Sequence, residues 1–308
     1  MSESAIPKVA VVCAWYNRAD HIRDTVDSLL AQEFDDFEIV IVNDGSTDRK
    51  VRETLDSYND TRLRVIHQDN AGFVSALRRA LDSTKAPYIA IQGAGDVSCP
   101  MRLQRQWEAM QASPDVAIVG CHYRQRNMLT GDEKMIMPRC PKKGDLAFHG
   151  LSHGELMYRR EVYEAVKGYR SEFFVGQGAD LWMRLLRDRQ AEIIQDELYE
   201  QRIFSDGVTI SGKKRAARAV LNAVRVENER IFRKTSFDHI DTYGVAAFSI
   251  LGGRWNVLKG LAYARLMAKG LRDSKGSFGF ETGPIVAVLS VLYGLYLKSK
   301  GRDPRVSG

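Results

Sequence analysis

An apolar run, Phe37–Val42, ends directly in a polar stretch of sequence NDGSTD, residues 43–48. The apolar run is typical of a buried strand, and the glycine and small polar residues after it predict a sharp turn. In open α/β sheets, ligands bind beyond the carboxyl ends of the strands, so Asp44 could accept hydrogen bonds from a nucleotide base or ribose. The alternative is an ordinary strand-to-helix turn with Ser46 or Asp48 as the N-cap.

The same order of apolar strand, polar cluster and helix recurs through the N-terminal half of the chain. Further strands are predicted over residues 8–14, 64–66 and 88–91, and polar clusters follow them at 15–17, 70–72 and 92–96. This alternation, with short connections, predicts a mostly parallel sheet covered by helices on both faces. Because parallel strands end at the same edge, we expect the polar clusters to gather along one rim.

Composition places the chain among globular proteins. Its 308 residues are 44% hydrophobic and 27% charged, which allows one large domain or one domain with an appendage. The four cysteines, Cys13, Cys99, Cys121 and Cys140, lack the paired spacing of a metal site and indicate free thiols in a reducing compartment. The N-terminus shows no apolar signal core, so we expect a cytoplasmic location.

The ordered set of motifs resembles the family 2 glycosyltransferases, over roughly residues 7–210. The motifs that carry the resemblance are Tyr16-Asn17, the NDGSTD stretch, Asn70 with Gly72, Asp96 with Pro100 and Arg102-Leu103, His153-Gly154, Gly168-Tyr169-Arg170, residues 180–185 and Leu198-Tyr199 through Arg202. The resemblance implies an α/β protein with a GT-A (Rossmann-like) fold over residues 1–212. That fold is a mostly parallel sheet flanked by helices.

The resemblance also implies a binding site for a nucleoside diphosphate sugar. Its expected residues are Ala14, Tyr16, Asn17, Asp44, Asn70, Gly72, Gly95, Asp96 and Arg202. The nucleoside is expected at residues 14–17 and Asp44. Asp96 is implied as a ligand of Mg²⁺ or Mn²⁺ against the diphosphate, and Arg202 as a contact to the leaving group, with a surface arginine as the alternative.

Two departures from the family pattern bear on the chemistry. The family usually has an Asp-rich cluster after the fourth strand, but residues 93–96 read GAGD and keep only Asp96. Asp96 alone could hold a magnesium ion, because magnesium uses few protein carboxylates. The alternatives are that Asp96 is an N-cap ahead of Pro100, and that the amides of Gly93 and Gly95 face the phosphates.

The second departure concerns the catalytic base. The acid that the family carries at the position of Gly178 is missing, and the stretch 177–180 reads QGAD. Asp180 is one candidate base; alternatively it caps a helix that begins at Leu181. His153, at the start of a predicted strand over 153–158, is the other candidate, because histidine titrates near neutral pH. The alternative for His153 is a structural role beside a glycine turn.

Basic charge is concentrated in the C-terminal third. Residues 213–308 hold 18 Lys and Arg against 7 Asp and Glu, a net charge of +11, whereas the first 212 residues carry −5. Helices are predicted over 213–233, 243–251 and 254–271. The uncharged stretch 284–297 is shorter than the roughly 20 residues of a membrane span, so we expect it to lie in the cytoplasmic leaflet, with basic neighbours attracted to anionic lipid. The alternative is a buried C-terminal helix.

Three classes of function remain on these grounds. The first is an inverting glycosyltransferase that acts on a glycan or lipid-linked acceptor in the synthesis of a cell-surface polysaccharide or glycoconjugate. The second is a degenerate protein that binds a nucleotide sugar, or serves as a scaffold, without turnover; the missing acids support it. The third is a nucleic-acid binder, which the helices disfavour because they lack a stacking platform and a docking motif. We expect the first and no nucleic-acid partner.

Overall fold

The computed structural model describes residues 6–205, 212–236, 238, 240 and 241. The chain divides into two compact units, one formed by Met1–Arg170 with Leu181–Gly207 and the other by Ser171–Asp180 with Val208–Gly308. The boundary after residue 212 that the sequence suggested stays a prediction. The predicted helices over 243–251 and 254–271, and the apolar stretch 284–297, lie outside the described residues.

The first unit alternates strands with helices. Its strands are β1 (Val9–Trp15), β2 (Phe37–Asp44), β3 (Leu63–Gln68), β4 (Tyr88–Ile91), β5 (Val97–Ser98), β6 (Val116–Asn127), β7 (Glu133–Ile136), β8 (Met157–Arg159) and β9 (Gln190–Ile203). Its helices are α1 (Ile22–Leu30), α2 (Arg49–Asp56), α3 (Phe73–Asp82), α4 (Arg102–Ala112) and α5 (Arg160–Ala165). Helix α6 (Gln177–Leu185) begins in the second unit and ends in the first, and α7 (Gly212–Thr235) belongs to the second.

The strands form one mixed sheet in the order β3-β2-β1-β4-β8-β6-β9-β5, with β7 paired to β6. The first four strands of that order pair in parallel, with Val9 opposite Phe37 and Cys13 opposite Ile41, as the sequence predicts. Strand β8 then pairs antiparallel with both β4 and β6, and β5 pairs antiparallel with β9. Strand β6 pairs in parallel with β9. The block of four parallel strands lies in the N-terminal half, where the polar clusters follow the strands.

The core of this unit lies on both faces of β1 and β2. All seven residues of β1 are buried, which explains its uninterrupted apolar sequence. Helix α1 covers one face with Ile22, Val26 and Leu29, which recur at helical spacing. Helix α3 packs against β1 and β2 as well. Two layers of helices thus fix the strands whose carboxyl ends carry the polar clusters.

A buried cation joins the parallel and antiparallel parts of the sheet. Arg102, the first residue of α4, has an exposed fraction of 0%. Its Nη1 donates to Gln92 Oε1 and Ser98 Oγ, both at 2.9 Å. Its Nη2 donates to the carbonyl oxygens of Ile91 and Gly154, both at 2.7 Å. One side chain therefore satisfies polar groups from the end of β4, from β5 and from the loop before β8.

The second unit includes helix α7, which confirms the helix predicted over 213–233. Its buried residues Leu221, Val224 and Asn228 fall at helical spacing along one face. Among the helices of the described ranges, none combines the length and the apolar character that a membrane crossing requires.

We predict that Arg102→Met lowers the free energy of unfolding by about 3–5 kcal/mol, because four buried polar atoms lose a charged donor. The measurement is urea denaturation. The control is Arg105→Met on the same helix, whose side chain is 46% exposed and pairs with Asp196. That change should cost at most about 1 kcal/mol. Equal losses in the two variants would contradict the role assigned to Arg102.

Candidate functional site

The loop after β1 is bonded to the loop after β2 through Asn17. The Asn17 side-chain Oδ1 accepts hydrogen bonds from the backbone N–H of Thr47 at 2.9 Å and from the Thr47 hydroxyl at 3.2 Å. The backbone N–H of Asn17 donates to Ser46 Oγ at 2.8 Å. Asn17 has a φ of 54°, in the left-handed region where asparagine is among the favoured residues. The first two polar clusters thus form one edge, as the sequence predicts, while the role of Asn17 in nucleotide binding stays a prediction.

Asp44 bonds the loop after β2 to the loop after β3. It is the last residue of β2 and is 4% exposed. Its carboxylate accepts from the backbone N–H of Ala71 at 2.8 Å, the N–H of Gly72 at 2.9 Å and Gln68 Nε2 at 2.6 Å. Asn70 Nδ2 donates to the Asp44 carbonyl oxygen at 2.8 Å. Three predicted site residues, Asp44, Asn70 and Gly72, therefore form one hydrogen-bonded group.

The strand-to-helix turn after Asp44 also contains an ordinary cap. The Asp48 side chain accepts from the backbone N–H of Lys50 at 3.0 Å and is the N-cap of α2. The capping alternative is thus correct for Asp48, whereas Asp44 has a different role. Asp44 holds the rim together from inside, and a carboxylate with three accepted hydrogen bonds retains limited capacity for a ligand.

Ala14 and Tyr16 lie at the end of β1. Ala14 is 8% exposed and pairs with Val42 of β2. Its small side chain leaves room for a ligand at the end of the strand. Tyr16 follows the strand and is 46% exposed. An exposed aromatic ring at this edge can stack on a nucleotide base.

Asp96 sits in a closed hydrogen-bonded niche. Its carboxylate accepts from the Tyr199 hydroxyl at 2.6 Å and from the backbone N–H of Arg202 at 2.8 Å. A Cβ at Gly93 would lie 2.0 Å from Asp96 Oδ2, and a Cβ at Gly154 would lie 2.0 Å from the Tyr199 hydroxyl oxygen. With Asp96 and Tyr199 in these positions, any side chain at residue 93 or 154 would clash, so only glycine fits there. The GAGD sequence is therefore part of the packing around Asp96.

Burial raises the pKa of Asp96 to about 6, and the hydrogen bonds from Tyr199 and Arg202 oppose that rise. The N-cap role considered for Asp96 is wrong, because the residue before α4 is Met101 and it makes no side-chain cap.

Tyr199 was not among the predicted site residues. It lies more than a hundred positions after Asp96 in the chain, so no local spacing connects the two.

The surroundings of Asp96 do not fit a divalent metal ion. Within the described ranges, no group of three or more His, Cys, Asp or Glu side chains is placed to hold one. Both Asp96 oxygens accept hydrogen bonds from the protein, and the positive charges of Arg18 and Arg202 act on the carboxylate. Magnesium can be held by one or two protein carboxylates when substrate phosphates complete its coordination, but those carboxylates need an accessible oxygen. Asp96 as a metal ligand accordingly stays a prediction that this geometry does not favour.

Arg202 forms ion pairs with two carboxylates. Its Nε donates to Glu200 Oε1 at 2.6 Å, and its Nη1 pairs with Asp24. Its side chain is 12% exposed, so Arg202 is partly buried, and the surface alternative stays open. To contact a diphosphate, the Arg202 guanidinium would have to give up its ion pairs with Asp24 and Glu200. The diphosphate role of Arg202 stays a prediction.

Arg18 is a cation at this edge that the sequence motifs did not single out. Its Nη1 donates to the Ala94 carbonyl oxygen at 3.0 Å, and its guanidinium carbon lies 4.3 Å from the centre of the Phe204 ring. A Cβ on Gly95 would meet the same ring at 2.8 Å. Arg18, Gly95 and Phe204 are therefore neighbours. In the sequence, the one sign of a site role for Arg18 is its position directly after Asn17. Arg18 comes close to Ala94 and Gly95 only because β1 pairs with β4.

His153 lies among aromatic rings. Its Nε2 is 2.6 Å from the Tyr169 hydroxyl, and its ring centre is 5.7 Å from that of Phe73 and 6.3 Å from that of Trp182. Burial lowers the pKa of His153 to about 4, so the ring is neutral at physiological pH. Trp182 is 5% exposed, which agrees with a core position. The role of His153 as a base stays a prediction.

The strand predicted over 153–158 is wrong for its first four residues, because β8 starts only at Met157. The carbonyl oxygens of Gly154 and Glu155 accept instead from the side chains of Arg102 and Gln106, both at 2.7 Å. Side-chain donors from α4 thus replace the ladder hydrogen bonds that a longer strand would have made.

Asp180 belongs to the second unit. It is 2% exposed and lies in the first turn of α6, where its backbone N–H donates to the Gly176 carbonyl oxygen at 3.1 Å. The helix begins at Gln177, four residues earlier than predicted, so the capping role considered for Asp180 is wrong. Its negative charge acts on Arg225 of α7. Its role as the base stays a prediction.

The raised pKa of Asp96 predicts how stability depends on pH. The contribution of Asp96 should be fully present below the ordinary carboxyl pKa of 3.8 and lost as the pH rises through about 6. Between about pH 3 and pH 7, wild type should lose roughly 3 kcal/mol more than Asp96→Asn. The measurement is urea denaturation across that range. Asp188→Asn, at a carboxylate that is 88% exposed, is the control and should follow wild type. Parallel curves for wild type and Asp96→Asn would contradict the prediction.

Comparisons with known proteins agree with this architecture. Residues 10–167 match the family described as "Glycosyl transferase family 2". The chain is 29% identical over 212 residues to "Putative glycosyltransferase EpsE" of Bacillus subtilis, covering 65% of this chain and 74% of that protein. It is 35% identical over 177 residues to "Uncharacterized glycosyltransferase EpsJ" of the same organism, covering 52% of this chain and 50% of the other.

Similar solved structures share the fold at low identity. The S. aureus TarS 1–349 complex with UDP-GlcNAc has a TM-score of 0.59 and 13% identity, covering 96% of this chain and 92% of that one. Mannosyltransferase PcManGT of Pyrobaculum calidifontis, in complex with GDP-Man and Mn2+, has a TM-score of 0.54 and 18% identity, covering 96% and 89%. The predicted GT-A fold is confirmed. Since the family match also spans half of the chain and contains the rim built by Asn17, Asp44 and Asp96, the protein belongs to glycosyl transferase family 2 and is a glycosyltransferase.

Proposed function

We propose that this protein transfers a sugar from a nucleoside diphosphate sugar to a hydroxyl group of a glycan or lipid-linked acceptor, with inversion at the anomeric carbon. We place the reaction at the cytoplasmic face of a membrane, in synthesis of a cell-surface polysaccharide or glycoconjugate. One observation carries the proposal. Asn17 and Asp44 bond the loops after β1, β2 and β3 into one rim inside the family-matched region.

The nucleoside is proposed to lie against this rim. Tyr16 offers an exposed ring for the base, and Asp44 fixes the loop of Asn70 to Gly72 and offers its remaining acceptor capacity. The nucleotide complexes of TarS and PcManGT, which contain UDP-GlcNAc and GDP-Man, support a nucleotide sugar as the donor class.

The diphosphate is proposed to lie at the turn of Gly95, beside Arg18. Negative charge develops on the leaving diphosphate during transfer, and a preorganised cation stabilises it. Arg18 is held in place by Ala94 and Phe204, so little reorganisation is needed when the charge appears. A divalent cation is the other candidate for this role. The Mn2+ in the PcManGT complex supports it, while the closed niche of Asp96 does not.

Asp180 is our candidate for the base, and neutral His153 is the alternative. The acceptor oxygen attacks the anomeric carbon opposite the diphosphate, the bond from that carbon to the diphosphate oxygen breaks, and the hydroxyl proton passes to the base. A carboxylate in the first turn of α6 is supported by its proximity to the helix N-terminus, where negative charge is favourable. Inversion is tested by the anomeric configuration of the product, read by proton NMR.

The central test is nucleotide release from UDP-, GDP- and dTDP-sugars with membrane lipid extract as acceptor. We expect turnover with at least one donor. In Asp44→Asn, the dissociation constant for the matching nucleotide should rise about tenfold or more, because a charge-assisted acceptor is lost. Asp69→Asn, an exposed neighbour in the loop before Asn70, is the matched control and should bind as wild type does.

Three results would count against this proposal. Nucleotide-sugar binding without any release would favour the degenerate, non-catalytic alternative. Unchanged nucleotide binding in Asp44→Asn would contradict the placement of the nucleoside. Full turnover in both Asp180→Asn and His153→Ala would exclude both candidate bases.

The cation at the diphosphate gives a separate prediction. We expect Arg18→Met to lower kcat by about 10²–10³-fold, the usual effect of removing one donor to a developing charge. Wild-type release should persist in the presence of EDTA. Arg23→Met in α1 is the control, since this residue is exposed, and it should keep normal turnover. Release that EDTA abolishes and manganese restores, together with a fully active Arg18→Met, would assign the role to a metal ion.

A further inference from the structure

The second unit contains a cavity of about 320 Å³ between its short segment and helix α7. Phe173, Val175 and Leu221 supply apolar walls, and Arg218, Asn222 and Arg225 supply polar ones. The α7 residues among these recur at helical spacing and share one face of the helix. The cavity is larger than a single water molecule requires and has both apolar and cationic walls.

Arg225 lines this cavity and has one unsatisfied donor. The residue is only 9% exposed, and its Nη1 is buried without a hydrogen-bond partner in the structure. Its Nη2 donates to Asn222 Oδ1. Burial lowers the pKa of Arg225 to about 10, and the negative charge of Asp180 opposes that change. The guanidinium therefore remains charged at neutral pH, in a place where an unpaired donor is costly.

A buried cation of this kind is normally matched by an anion. Arginine presents its N–H groups in a fixed planar fork that suits phosphate oxygens, and such bonds are stronger than neutral ones. Phe173, Val175 and Leu221 leave room for carbon next to the anionic group. The net charge of +11 over residues 213–308 favours a polyanionic ligand over a single carboxylate.

We infer that this cavity binds a phosphate group of the acceptor through the Arg225 side chain, with the carbon chain attached to the phosphate against Phe173, Val175 and Leu221. The inference rests on the proposed function, because it names the acceptor class of the transferase. The phosphate belongs either to a lipid carrier or to a phosphate-containing glycan. Asp180, the candidate base, lies in the same unit and interacts electrostatically with Arg225. An acceptor anchored here is thus held by the unit that carries the base.

The alternative is that Arg225 serves only as a structural counter-charge to Asp180. The two roles differ in one measurable property, which is the response to added phosphate. A ligand that binds the native state raises the midpoint of thermal unfolding in proportion to its affinity. If Arg225 is only structural, the rise of the unfolding midpoint with added phosphate does not depend on Arg225.

The experiment follows the thermal unfolding midpoint of the full chain at increasing concentrations of three probes: inorganic phosphate, farnesyl phosphate and glycerol 3-phosphate. Whichever of UDP, GDP and dTDP binds most tightly is present at saturation throughout, so that the nucleotide site does not bind the probe. Each variant is compared with its own probe-free midpoint, so a change in basal stability does not affect the result. The variants are Arg225→Met, Arg225→Lys and the control Arg230→Met, a side chain on the same helix that is 62% exposed.

We expect at least one probe to raise the midpoint of wild type and of Arg230→Met. The dissociation constant for that probe should be about 10-fold to 100-fold weaker in Arg225→Met and partly restored in Arg225→Lys. Tighter binding of farnesyl phosphate supports a lipid-linked acceptor, and tighter binding of glycerol 3-phosphate supports a phosphate-containing glycan. Equal shifts in wild type and Arg225→Met, or no shift with any probe, would overturn the inference.

Failure of this inference can be told apart from failure of the proposed function. Nucleotide release by a chain whose phosphate binding does not depend on Arg225 would overturn the phosphate site alone. Phosphate binding through Arg225 in a chain that releases nucleotide from no donor would overturn the transferase proposal, and with it the assignment of the phosphate to an acceptor.

Discussion

The sheet of the first unit depends on the burial of one cation. Arg102 carries a full charge at 0% exposure, and only a complete set of hydrogen bonds makes that position tolerable. Its partners come from the end of β4, from β5 and from the loop before β8, so those segments cannot shift independently. The same loop carries Gly154 beside the Tyr199 hydroxyl, and Tyr199 in turn holds Asp96. The position of Asp96 therefore depends on where Arg102 is buried.

The acids of the rim act mainly within the protein. Asp44 uses three hydrogen bonds to fix the loop after β3, and Asp96 uses two to bond to β9. Carboxylates that are satisfied in this way hold loops in place, but they leave fewer lone pairs for a ligand. We propose two arginines as contacts to anions, Arg18 for the diphosphate and Arg225 for a phosphate of the acceptor. In this proposal, arginines recognise the charged groups of both substrates.

Much of the fold could be read from local pattern. The strand over 88–91 was predicted at its observed bounds, and β1, β2 and β3 within two residues, because buried parallel strands are uninterrupted apolar runs between turn residues. Helix α7 was likewise visible from its periodicity. The errors fell where side chains from distant elements decide local structure. Gly154 and Glu155 were predicted to be strand residues, but their carbonyl oxygens accept hydrogen bonds from the side chains of Arg102 and Gln106. Helix α6 begins four residues before its predicted start.

The sequence by itself determined the order of the first four strands and their helices, the edge at which the polar clusters gather and the family. Each of these follows from periodicity and from motifs a few residues long. Only the tertiary structure decided that Asp96 is enclosed by Tyr199, Gly93 and Gly154, and that Arg18 adjoins Gly95. It also decided that Arg225 lines a cavity and has an unsatisfied donor. The physical reason is that burial and hydrogen-bond partners are set by residues far apart in the chain, whose contacts no local pattern encodes.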